Sequence, residues 1–149
     1  MSDTKPTHHD AELILKLYDL RREPVMREAR AYFVSMPASE ESFLAVVTNP
    51  MSKENSYVRQ VCGYWEMVAS LVVHGTLNGA LVFDTCNEMY FAYAKIQPYV
   101  AVIREKLVAP DFLSNLQKVV EGSEEGRQRI SRLQARFAAR ANAPAKAAG

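Results

Sequence analysis

The residues best equipped for chemistry in this chain lie between positions 52 and 74. At ~100° per residue, Arg59, Gly63, Glu66, Ser70 and His74 share an arc of roughly 80° on a helix, with Val58, Val61, Trp65, Val68 and Val72 opposite. A carboxylate and an imidazole two turns apart, with a hydroxyl between, could exchange protons or hold a ligand if that face lined a pocket. A charged residue in an apolar helix is more often structural, either exposed or buried and paired. Here the pairing candidates are Arg27, Arg30 and Arg104, with Gly63 admitting a close neighbour.

Three smaller constellations follow. Asp84 and Glu88, one turn apart among Phe83, Tyr90, Phe91 and Tyr93, could supply two ligands of a helical-bundle metal site. Such a site also needs a His three residues after a Glu. No Glu here has one, so no metal or other cofactor is expected, and the region reads as an aromatic core with a solvated acidic edge. Cys62 sits mid-helix, where no helix N-terminus lowers its pKa, and reads as a buried thiol rather than a nucleophile. His8 and His9 read as the start of a helix. Glycine-rich phosphate loops, zinc-type spacings, a nucleophile elbow and a calcium loop do not occur. The chain therefore leans away from enzymes.

The C-terminal segment is the most legible. Arg129, Arg136 and Arg140 fall within roughly 40° of one another, with Arg132 about 60° aside, beside an apolar stripe of Ile130, Leu133 and Phe137. This basic amphipathic helix could meet nucleic acid, an anionic membrane surface or an acidic partner. Alternatively it docks through its three apolar residues with the arginines in water. Residues 1–125 carry 12 basic and 17 acidic side chains, whereas residues 126–149 carry six basic and none acidic. The result is a basic arm on an acidic body.

The elements that must position these groups are helical. The 149 residues suit one domain, long enough to bury a core without disulfides. Two embedded cysteines and no apolar stretch behind the first residues point to a reducing, cytoplasmic setting. The longest uncharged run is too short for a membrane span. Thr7 to Asp10 can form a capping box, and Pro24 both ends a first helix and opens a second, to about Met36. A short third helix runs from Glu40 to near Thr48. The fourth, about 52–74, is central and capped by Gly75. A fifth region, roughly 80–97, resumes after Pro98 to about Val108. Ala109-Pro110-Asp111 opens a helix to Glu121, and a last one runs from Ser123 to about Arg140. No period-two alternation marks a strand. The expected fold is all-α: an irregular bundle of seven or eight helices around helix 52–74, with residues 1–6 and 142–149 disordered.

The run Tyr64-Trp65-Glu66-Met67, Leu71-Val72-Val73-His74-Gly75, Phe83, Lys95-Ile96-Gln97-Pro98 and Ile103-Arg104 resembles a small bacterial family of helical proteins known only as a domain of unknown function. The resemblance covers about residues 10–120, implies a helical fold, and brings no catalytic or binding residues with it. The arginine helix lies outside it. The leading expectation is a non-enzymatic interaction or regulatory domain acting as a homo-oligomer through helix 52–74 or the aromatic region. Its rivals are a ligand-binding or enzymatic domain using Glu66, His74 and Arg59, and a polyanion binder, nucleic acid included, using Arg129, Arg132, Arg136 and Arg140.

Overall fold

The structure is a computed structural model that describes residues 4–144, so the termini expected to be disordered lie partly outside it, at residues 1–3 and 145–149. Among the described residues every regular element is helical: α1 (His8–Leu20), α2 (Pro24–Ser35), α3 (Glu40–Val47), α4 (Lys53–Val73), α5 (Gly79–Thr85), α6 (Asn87–Ile96), a 3-10 turn (Gln97–Tyr99), α7 (Val100–Leu107), α8 (Ser114–Glu121) and α9 (Glu124–Ala141). No described helix is long and apolar enough to cross a membrane.

Local chemistry sets most of the helix starts. The Thr7 hydroxyl accepts from the Asp10 amide while Asp10 accepts from Thr7, closing the expected capping box. Asp10 also accepts the Asn78 amide at 2.7 Å, so one carboxylate ties the start of α1 to the start of α5. Ser39, Ser52, Asn78 and Ser123 cap α3, α4, α5 and α9 by the same donor-acceptor logic. Glu23 caps α2, whose first residue is Pro24. Gly75 leaves α4 with φ +71°, the left-handed conformation that glycine adopts without steric cost. At Gly126 the reason for glycine is space: a Cβ there would collide with the Val120 carbonyl oxygen, where α9 folds back on α8.

Two boundaries depart from the sequence reading. The fifth region breaks at Cys86, well before Pro98. The hydroxyl of Tyr18, reaching across from α1, donates to the Thr85 carbonyl at 2.7 Å. The Thr85 hydroxyl turns back to the Leu81 carbonyl at 2.6 Å. A tertiary contact and a back-bonding threonine thus replace helix continuation. The helix expected to open at Ala109 starts only at Ser114. Val108 and Leu113 both take left-handed backbone, so residues 109–113 form an irregular turn.

The core gathers around α4, which packs most extensively on α2 and α8, while α9 lies on α6 and α8. Trp65, Tyr90, Tyr93, Phe33 and Phe43 are among its fully buried side chains. One buried cation was not foreseen. Lys95 is 4% exposed, and its ammonium donates to the carbonyls of Phe33 at 2.6 Å and Val34 at 2.9 Å, in the last turn of α2. It thereby caps that helix's negative end from outside.

Burial lowers the Lys95 pKa to about 8, below that of an unfolded lysine near 10.4. The unfolded chain therefore holds more protons between those values, and the Lys95 contribution to stability is complete above the upper one and lost as pH falls through the lower. The stability of the parent minus that of Lys95→Met should accordingly rise between about pH 8 and pH 10, by at most roughly 3 kcal/mol. Denaturant unfolding of both proteins across that range measures it, and a flat difference would show that the ammonium bears no burial penalty.

Candidate functional site

Glu66 turns inward from α4, where its carboxylate meets the start of α8. One carboxylate oxygen accepts the Asn115 amide at 3.0 Å and the Asn115 side-chain nitrogen at 2.9 Å; the other accepts the Leu116 amide at 2.9 Å. Leu113, the residue preceding α8, offers no side-chain acceptor, so Glu66 supplies the missing cap from another helix and places a negative charge at the positive end of α8. The expected arginine partners bond elsewhere. Arg30 pairs with Glu88, Arg104 bonds the Phe112 carbonyl and Gln117, and Arg27 is exposed.

The rest of the stripe does not converge on Glu66. Arg59 and His74 are exposed, the latter just past the end of α4, and Ser70 is half-buried. Gly63 is exposed, and an added Cβ would meet nothing within 4 Å, so it admits no close neighbour. Replacing Glu66 by Ala should cost about 2 to 3 kcal/mol, since hydrogen bonds to a charged acceptor are the stronger kind. Glu66→Gln should recover less than half, because its NH2 would face an N–H donor. Chemical denaturation reads this directly, and a loss under about 0.5 kcal/mol would deny Glu66 the capping role.

The other candidates separate in the same way. Cys62 is buried, and burial above all, with the Glu66 charge adding, pushes its thiol up to about 12. It has almost no thiolate at neutral pH. His8 and His9 are exposed at the start of α1, with His9 3.7 Å from Glu12. Asp84 is exposed, but Glu88 is not the solvated acid expected. Its carboxylate takes Nε and Nη2 of Arg30 and Nη2 of Arg21. Burial works to raise its pKa, and the Arg30 hydrogen bond with the charges of Arg21 and Arg30 outweighs that and holds it below the ordinary carboxylate value. Among the described residues, no group of three or more His, Cys, Asp or Glu is placed to hold a metal ion.

The aromatic region and the apolar face of α4 are used within the chain's own core. Tyr90 and Tyr93 are buried, Phe83 stands edge-on to Tyr90 at 5.4 Å, and Phe91 edge-on to Phe137 of α9 at 5.2 Å.

The arginine helix is docked on the core, and three of its arginines line a cleft. Ile130 is buried, and Leu133 and Phe137 pack on the core. Arg129 is pinned: its guanidinium lies 3.6 Å from the centre of the Phe83 ring and 4.7 Å from that of Tyr90, and it donates to the Phe83 carbonyl and the Asn87 side chain. Arg129, Arg132 and Arg136 then line one wall of a cleft of about 580 Å³, with Leu133 between them, Asn87, Glu88 and Phe91 of α6 opposite, and Val34 of α2 at one edge. Arg140 is exposed and lies outside it. None of the three lining arginines has a carboxylate within ion-pair distance among the described residues. The sequence marked the arginines, but nothing local to Val34, Asn87 or Phe91 marked them as the facing wall.

A second cleft of similar volume lies between Thr4–Lys5, the α4–α5 turn and the end of α8. Its lining mixes Lys5 and Lys118 with Asp10 and with residues at the C-terminal ends of α4 and α8.

No curated protein and no solved structure matches the chain. Residues 6–123 match a family described as Domain of unknown function (DUF4760), a span that takes in α1 to α8, including Glu66 and the α6 wall of the arginine cleft, and leaves α9 outside. With more than half its length so matched, the chain belongs to that family.

Proposed function

We propose that this chain is a non-enzymatic interaction domain that captures an anionic partner in the cleft between α6 and α9. The observation that carries the reading is the charge balance of that cleft. Its one carboxylate, Glu88, is already held by Arg21 and Arg30, while Arg129, Arg132 and Arg136 face the cleft with no acid of their own. Arg129 is fixed in place before any partner arrives, which lowers the entropy lost on binding. The alternative through Glu66, His74 and Arg59 is less well supported, because the Glu66 carboxylate would have to abandon three donors to act on a ligand. The two free, buried cysteines fit a reducing, cytoplasmic setting.

Retention on immobilised heparin tests the reading. Arg132 and Arg136 are exposed, so Arg132→Gln with Arg136→Gln should leave thermal unfolding unchanged and elute at clearly lower salt than the parent. Lys5→Gln with Lys118→Gln should elute with the parent. A double arginine variant retained as strongly as the parent, or a parent that is not retained, would overturn the reading.

A further inference from the structure

We infer that the occupant of the α6–α9 cleft is an acidic peptide segment of a partner protein, carrying two carboxylates about one helical turn apart with an apolar side chain between or beside them; this rests on the anion-capture reading. The arginines alone would suit any polyanion, but the walls between them are apolar. Val34 is 55% exposed at the edge of the cleft, and Phe91 and Leu133 complete an apolar strip along it. A phosphate strand has nothing to place on that strip, whereas a leucine or methionine side chain of a peptide fills it and gains from burial.

The spacing points the same way. Arg132 and Arg136 are four residues apart, about 6 Å along α9. Carboxylates at i and i+4 of a partner helix stand about the same distance apart. The whole run from Arg129 to Arg136 spans only about 10 Å, short for a surface that tracks a nucleic-acid backbone. Single-stranded nucleic acid also needs open ring faces on which bases stack. Here the nearest rings are engaged, Phe83 and Tyr90 by the Arg129 guanidinium and Phe91 by a T-shaped contact with Phe137. Each arginine that meets a carboxylate in this partly enclosed strip makes a charge-assisted hydrogen bond, and its planar fork favours two-oxygen acceptors.

The test uses the full chain and a labelled helical peptide in which Glu recurs every fourth residue with Leu on the same face, followed by fluorescence anisotropy. Saturable binding is expected, weakened at least about tenfold when the glutamates become glutamine, when the leucines become alanine, or in the Arg132→Gln, Arg136→Gln protein. Val34→Gln is the discriminating variant, since that side chain is exposed and uncharged. It should weaken the peptide several-fold while leaving heparin retention unaltered. Equal binding of the alanine peptide, no effect of Val34→Gln, or tighter binding of a single-stranded oligonucleotide than of the peptide would overturn the inference while leaving anion capture standing. Heparin and peptide both indifferent to the arginine double variant would remove the anion-capture reading itself.

Discussion

Replacing Trp65 by Ala should destabilise the domain by about 3 to 5 kcal/mol, the range for deleting a large aromatic side chain from a packed interior. Trp65 is 1% exposed on the helix at the centre of the bundle. It meets the ring of Tyr64 edge-on at 4.8 Å, and the Arg21 guanidinium lies 5.4 Å from its own ring centre. The loss therefore reaches beyond a cavity: Arg21 also holds Glu88, so its stacking surface and the ion pair move together. Trp65→Phe provides the contrast. The indole N–H is buried with no partner among the described residues, and phenylalanine removes that unsatisfied donor while keeping most of the ring. It should cost well under half as much as alanine in urea unfolding. An alanine variant within about 0.5 kcal/mol of the parent would contradict the placement of α4.

Deleting residues 127–149 should cost a similar amount, roughly 3 to 5 kcal/mol, because α9 covers the outer face of α6. Ile130 is buried, Leu133 and Phe137 are packed on the core, and each such side chain contributes on the order of 1.5 to 3 kcal/mol when fully removed from water. The deletion also strips Arg129 from Phe83 and Tyr90, leaving both rings uncovered. The shortened chain should unfold at lower temperature and bind a hydrophobic dye. Changing Arg132 and Arg136 to glutamine should have neither effect, since exposed charges without fixed partners contribute little. An undiminished transition temperature after the deletion would show that α9 is an appendage rather than part of the core.

What the sequence made legible is what local chemistry controls. The capping box at Thr7, the proline at the start of α2 and the glycine after α4 are all short-range devices, and they appear where residue type and spacing put them. The central place of α4 followed from its length and its apolar face. The all-α class followed from the period of the pattern. The misplaced boundaries have long-range causes. α6 begins anew after Cys86 where Tyr18, 67 residues away, takes the Thr85 carbonyl, and α8 draws its cap from Glu66, 49 residues before Asn115.

The candidate site divides along the same line. Periodicity grouped Glu66 with Ser70 and His74 but carried no information on what faced them, and the facing element proved to be the bare N-terminus of another helix. The fate of Glu88 was hidden for the same reason, since its two arginines come from α1's end and from α2. The arginine stripe was visible because it is local to one helix. Its conversion from a solvated face into one wall of a cleft needed α6 and the edge of α2 beside it, and the pinning of Arg129 needed Tyr90 of α6 and Phe83 of α5.

Backbone amide shifts recorded while a short heparin fragment is titrated into the full chain test the central claim most directly. Capture in the α6–α9 cleft predicts saturable shifts concentrated at Asn87, Glu88 and Phe91 and along Arg129 to Arg136, weakening steeply as salt rises because the contacts are ionic. Shifts concentrated instead at Lys5, Gly75 to Gly79 and Lys118, or none anywhere at low salt, would contradict it.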